Sequence, residues 1–105
     1  MKIGNVTLNT QLVLAPMAGV TDLAFRTVCR ELSGCYTVTE KVSAKALCYG
    51  DKKTASLLAL GAGEHPAAVQ IFGSDEACME RELPWLWSSL GRISSTSTWA
   101  VRCLR

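Results

Sequence analysis

Nowhere in these 105 residues is there an unbroken apolar run of roughly eighteen, the length a membrane-spanning helix needs. Met1-Lys2-Ile3-Gly4-Asn5 lacks the apolar core of a secretory signal. Both absences point to a cytosolic chain that does not engage a membrane. Five cysteines (Cys29, Cys35, Cys48, Cys78, Cys103) form no Cys-x-x-Cys pair and leave one over. Neither a zinc knuckle nor a disulfide framework is expected, and no metal ligand is assigned. The thiols read as small buried hydrophobes in a reducing compartment. The single histidine, His65, sits in a loop before Pro66, and no catalytic role is assigned to it. A net charge of +2 is too small to argue for nucleic-acid binding by itself. No solenoid-type repeat is visible, and oligomeric state is left open. What is present, 49% hydrophobic and 19% charged residues, describes a folded chain with room for one domain at most.

The stretch Leu12 to Arg26 organises the rest. Leu12-Val13-Leu14 is too short for a helix and suits a strand covered on both faces. Pro16 ends that strand because it cannot donate to a ladder, and Gly19 permits a tight bend. Thr21 is placed as the N-cap of a helix, with Asp22 in its first turn. Helical spacing puts Leu23, Phe25 or Arg26, Val28 and Leu32 on one face, and Gly34 reads as a left-handed cap. Arg26 and Arg30 read as a solvated i,i+4 pair. Before this stretch, the alternation of Lys2 to Leu8 and the turn signal Asn9-Thr10 predict a small hairpin running into Gln11–Leu14.

Cys35 to Glu40 is rich in β-branched and aromatic residues and forms a second strand. A helical stretch from Ser43 is interrupted at Gly50-Asp51 and resumes over Lys52 to Leu60. Lys52-Lys53 reads as a solvated helix start, and Gly61 to Pro66 as a surface loop. Ala67 to Phe72 is a third short strand, followed by a helix that Ser74 caps. Strands alternating with helices at this spacing imply an α/β fold with a parallel sheet.

Leu14-Ala15-Pro16-Met17-Ala18-Gly19-Val20-Thr21-Asp22, followed by Phe25-Arg26, resembles the first βα loop of the tRNA-dihydrouridine synthases. Thr37 to Glu40 with Val42 to Leu47 resembles their second strand and loop. Pro66 with Ala68 to Asp75 resembles the third. The resemblance runs from Val6 to about Arg81, with three motifs in order. It implies the N-terminal part, about three βα units, of an FMN-binding TIM (β/α)8 barrel. That barrel is incomplete here, since a whole one needs about 250 residues. It further implies that Pro16, Met17 and Ala18 line FMN, and that the Gln70 amide hydrogen-bonds the flavin ring. Glu40 and Lys45 lie on the loop side of the second strand, where they either face the active site or, the reading preferred from position, form an ion pair at the barrel rim. The implied reaction is reduction of the uridine C5–C6 bond in tRNA. NADPH reduces FMN, hydride passes to C6, and a cysteine acid protonates C5. Two other readings stand beside it: an FMN barrel oxidoreductase acting on a small molecule, and a truncated remnant without function.

The cysteine motif of that family is missing, and the chain changes character where it is due. All nine acidic residues lie at or before Glu82, and all three tryptophans (Trp85, Trp87, Trp99) after it. Pro84 is expected to break the helix begun at Ser74. Ile93 to Thr98 has no helical period and reads as poorly ordered. Codon choices exist that turn Gly91 to Arg105, read one base out of register, into a run containing Asp-Ile-Asn-Met-Gly-Cys-Pro. That run resembles the family's catalytic motif, with its cysteine codon straddling Ala100 and Val101. Residues 1–81 thus read as barrel and 82–105 as an out-of-frame, poorly ordered tail. Cys103 is not the catalytic equivalent, and no catalytic residue is assigned. On that reading the tryptophans, which invite comparison with a base-stacking platform, carry no functional meaning.

Overall fold

Alternation decides which side of each strand is buried. In Ala67–Phe72, Val69 and Ile71 point one way and Ala68, Gln70 and Phe72 the other. The computed structural model describes residues 2–3, 6–89 and 99–102. Its elements are β1 (Lys2–Ile3), β2 (Val6–Thr7), β3 (Val13–Leu14), α1 (Leu23–Ser33), β4 (Tyr36–Ser43), α2 (Ala44–Cys48), α3 (Lys52–Ser56), β5 (Ala67–Phe72), α4 (Glu76–Ser89) and β6 (Trp99–Arg102). β3, β4, β5 and β6 form a parallel sheet in that order. The α/β class and the parallel sheet are as the sequence implied.

The main core lies on the helix side of the sheet. Val42, Val69 and Ile71 meet Ala44, Leu47, Leu58 and Met79 there. Full burial of a side chain such as Leu58 or Ile71 is worth about 1.5–3 kcal/mol. On the opposite face Ala68 packs against Tyr36 and Leu8.

β1 and β2 pair antiparallel, Ile3 opposite Val6, so the hairpin closes earlier than the Asn9-Thr10 signal suggested. Gly4 and Asn5 lie outside the described residues. Leu12 and Val13 are 59% and 50% exposed, not covered. A run of three apolar residues cannot tell an edge strand from a central one, and β3 pairs only with β4 among the described strands. Asp22, not Thr21, caps α1: its carboxylate accepts from the Phe25 N–H at 2.8 Å. Asp75 does the same for α4, accepting from the Cys78 N–H at 3.1 Å, in place of Ser74. In both cases the acid is the stronger acceptor of two adjacent candidates. Gly34 is the left-handed cap expected, with φ 63° and its N–H on the Arg30 carbonyl.

α1 buries a different face from the apolar one. Phe25, Val28 and Leu32 are exposed, whereas Arg26 is buried and Arg30 half-buried. The guanidinium of Arg26 donates from Nε to Glu64 Oε1 at 2.6 Å, from Nη1 to the Thr21 carbonyl at 2.9 Å and from Nη2 to the Ala59 carbonyl at 2.7 Å. Glu64 also accepts from Thr37 Oγ1 at 2.9 Å and from the Gly61 N–H at 3.0 Å. Burial by itself pushes the Glu64 carboxyl up. The bonds from Arg26, Gly61 and Thr37 outweigh it and hold the group below its ordinary value. Arg30 donates to the carbonyls of His65 and Pro66. Neither arginine is the solvated residue that i,i+4 spacing suggested. The Gly61–Pro66 loop, read as surface, encloses a buried acid, and a paired guanidinium, here Arg26, is what a buried carboxylate requires.

α4 passes through Pro84 and runs on to Ser89. A proline deletes one backbone bond, here to the Glu80 carbonyl, and kinks a helix more readily than it ends one. The polar run Ile93–Thr98 and Cys103 lie outside the described residues, as do the side chains of Trp85, Trp87 and Trp99.

Candidate functional site

Because the sheet is parallel, the loops that follow β3, β4 and β5 all leave from one edge. The first, Ala15 to Val20, is fixed from within. The Met17 carbonyl accepts from the N–H groups of Val20 and Thr21, both at 3.0 Å. Thr21 Oγ1 accepts from the Met17 N–H at 2.9 Å and donates to the Met17 carbonyl at 3.1 Å. Thr21 is fully buried for this purpose, which explains why it is not the helix cap. Gly19 takes φ 73°, a value that suits glycine alone. Pro16 is half-buried, and Met17 and Ala18 present exposed side chains.

β4 holds this loop. Its pairing with β5 slips between Val38 and Lys41, so Thr39 and Glu40 together stand opposite Val69 in a β-bulge. The two bulge residues turn their side chains to different neighbours. Glu40 Oε2 accepts from the Gly19 N–H at 2.7 Å. Thr39 Oγ1 accepts from the Gln70 N–H at 3.1 Å. The expected Glu40–Lys45 ion pair is not formed: the Glu40 carboxylate is buried against backbone, and Lys45 is exposed. A single acid within a β-branched strand was the available signal, since a buried carboxylate must find a donor.

Gln70 stands in β5 opposite Lys41, on the face away from the main core. Among the described residues its side-chain amide has no partner, so a donor and an acceptor remain unspent. The Lys41 ammonium lies over the ring of Phe72, 5.6 Å from its centroid. At the strand ends a hollow of about 520 Å³ is lined by Ser43, Lys45, Phe72, Gly73, Ser74 and Asp75. Neither Gln70 nor Pro16–Ala18 belongs to its wall. One strand separates the two predicted groups, so their backbones stand about two strand spacings, ~10 Å, apart. Their shared support is the β4 bulge.

Lys52 and Lys53 are exposed at the start of α3, as read. Among the described residues no three His, Cys, Asp or Glu side chains converge to hold a metal ion. Nor, among them, is any helix long and apolar enough to cross a membrane.

Fold and edge together define an α/β protein of repeated βαβ units, with its candidate site where loops leave a parallel sheet. Residues 13–82 match the family model described as dihydrouridine synthase, and the chain belongs to that family. It is 39% identical over 79 residues to a protein named tRNA-dihydrouridine synthase B from Pseudomonas aeruginosa, covering 75% of this chain and 24% of the relative. The protein of the same name from Pseudomonas putida is 42% identical over 80 residues, covering 75% of this chain and 23% of the relative. A probable tRNA-dihydrouridine synthase of Mycobacterium tuberculosis is 40% identical over 83 residues, covering 71% and 21%. The chain thus spans about a quarter of the length of the curated relatives it matches.

Proposed function

We propose that this chain is the first part of a (β/α)8 flavoenzyme that reduces uridine to dihydrouridine in tRNA, with FMN as resident cofactor and NADPH as electron donor. The names of the relatives support the reaction and the substrate class. The observation that carries the cofactor is the unspent Gln70 amide, anchored through the same bulge that locks the Pro16–Ala18 loop. Ala18 adds a backbone N–H with no partner among the described residues. These groups fit the polar edge of a flavin ring. The phosphate end is another matter: barrels of this kind hold it with loops after late strands, beyond the units present here. FMN, when bound, supplies hydride transfer. The chain's own residues orient the ring: Gln70 by donating and accepting at its edge, and Pro16, Met17 and Ala18 by backbone and apolar contact. The target base must leave its stack to be reached, and a tRNA substrate is compatible with the cytosolic location proposed for the chain.

No residue of this chain takes the place of the acid that protonates C5. The proposal extends to the tail: residues 82–105 are read out of frame, and the missing cysteine is encoded across Ala100 and Val101. That the family match ends at residue 82 supports this. The chain as it stands is then inactive. Resequencing the coding DNA around codon 82, then correcting one insertion or deletion there, tests both statements. The corrected frame should encode Asn-Met-Gly-Cys-Pro and its product should form dihydrouridine on unmodified tRNA with NADPH. The uncorrected chain should form none. Turnover by the uncorrected chain overturns the inactivity, and a corrected frame without the motif overturns the frame reading.

A further inference from the structure

The hollow of about 520 Å³ at the strand ends takes no part in holding the flavin edge, and its wall carries groups without a task. Lys45, in the first turn of α2, is exposed and pairs with no carboxylate among the described residues. Ser74 is exposed too, and its hydroxyl has no partner among them. Other polar groups of the wall are spent. Ser43 Oγ accepts from the Ala46 N–H at 3.3 Å, and the Asp75 carboxylate accepts from the Cys78 N–H at 3.1 Å. Phe72, half-buried, gives the wall an aromatic ring. A second cation stands beside that ring, the Lys41 ammonium 5.6 Å from its centroid. Phe72 lies two residues beyond Gln70 on the same face of β5, roughly 7 Å nearer the strand end. Cations, a free hydroxyl and a ring thus gather at the sheet edge that carries the Gln70 amide.

We propose that this hollow holds a nucleotide of single-stranded RNA adjoining the uridine to be reduced, an inference that rests on the function proposed above. Lys45 and Ser74 take its phosphate, the ammonium as a point charge and the hydroxyl as a donor. The base lies against the Phe72 ring, a contact that tolerates any base because each has a flat face. Lys41 adds positive charge beside the ring, where the sugar–phosphate chain passes. The volume falls within the roughly 300–1,000 Å³ of ligand pockets, room for one nucleotide and not for a base pair with both its backbones. A uridine drawn out of its stack leaves its neighbour unstacked as well. With the target base at Gln70 and its neighbour at Phe72, two successive positions of β5 on one face receive two successive nucleotides.

The test titrates the nitrogen-15-labelled chain with the trinucleotide UpUpU and follows its amides by NMR, with inorganic phosphate and FMN as separate probes. UpUpU should move the amides of Phe72, Gly73 and Ser74 most. Lys45→Gln, a change at an exposed side chain, should leave the rest of the spectrum in place. It should lower the slope of log affinity against log salt by about 0.7, the share of one phosphate contact on a single strand. Phe72→Leu should weaken UpUpU roughly 5- to 100-fold, the worth of a stacked base. The proposal is overturned if UpUpU moves other amides instead, or if Lys45→Gln leaves the slope unchanged. It is also overturned if inorganic phosphate or FMN moves the amides of the hollow as strongly as UpUpU, which would make this a site for a phosphate ion or for the flavin phosphate. Where FMN moves the Gln70 side-chain amide and UpUpU leaves the hollow untouched, the proposal falls and the flavin reading stands. Where neither probe moves any amide, both fall.

Discussion

Replacing Arg26 by alanine should cost this chain a large share of its stability. The side chains of Arg26 and Glu64 are 1% and 3% exposed, so neither charge is screened by water. Removing the guanidinium leaves Glu64 with only Thr37 and the Gly61 N–H, and leaves the Thr21 and Ala59 carbonyls without their donor. Deleting one partner of a buried pair costs about 3–5 kcal/mol. A domain of this size has about 5–15 kcal/mol in total. With an m-value of about 2 kcal/mol per M, a loss of about 4 kcal/mol lowers the urea midpoint by about 2 M. Urea unfolding followed by far-UV circular dichroism measures it. The double variant Arg26→Met, Glu64→Leu should sit above the single one, since it buries no unpaired charge. A midpoint for Arg26→Ala within about 0.5 M of wild type, or a double variant below it, would refute the reasoning.

The same carboxylate sets an acid limit. Its folded value lies below the ordinary 4.5, so its contribution is complete above that pH and is lost as pH falls through the folded value. The urea midpoint should therefore drop below about pH 4.5, and Glu64→Gln should flatten that slope; an unchanged slope would remove Glu64 as its source. Gly34→Ala should cost about 1 kcal/mol through its positive φ alone, because an added Cβ meets nothing within 4 Å. Asparagine there should cost less, and equal losses for the two would point to a steric cause. Glu40→Ala should speed amide exchange of Gly19 by roughly 10- to 100-fold, the worth of a charge-assisted bond. Unchanged exchange would show that this bond does not hold the loop.

Local chemistry was legible in the sequence, and long-range electrostatics were not. The limits of β5, the start of a helical stretch at Ser43 and the Gly34 cap of α1 each follow from a few neighbouring residues. Periodicity went wrong on α1 because it scores apolar positions, and the buried side of that helix is built around a guanidinium. The partner, Glu64, stands thirty-eight residues away in a loop whose composition reads as surface. Leu12 and Val13 mark the other limit. Their hydrophobicity announces a strand but not whether a neighbour covers it, and here they stand at the open side of the sheet. The cap errors at Thr21 and Ser74 were one residue wide, and side-chain bonding decided both.

The candidate site itself depends on a feature with no compositional signature. A regular β4 would place Thr39 and Glu40 on opposite faces, so one could not support the loop after β3 while the other fastened β5. The slip in register relaxes that alternation. It gives one residue's hydroxyl to the Gln70 backbone and the next residue's carboxylate to Gly19. The β3 loop and β5, which do not pair with each other, are thereby referred to one two-residue segment. Thr37-Val38-Thr39-Glu40 therefore matters as much to the site as the motifs on either side of it. Its strand-forming residues fill the sheet, and the extra residue at the slip frees two of its side chains to position neighbours.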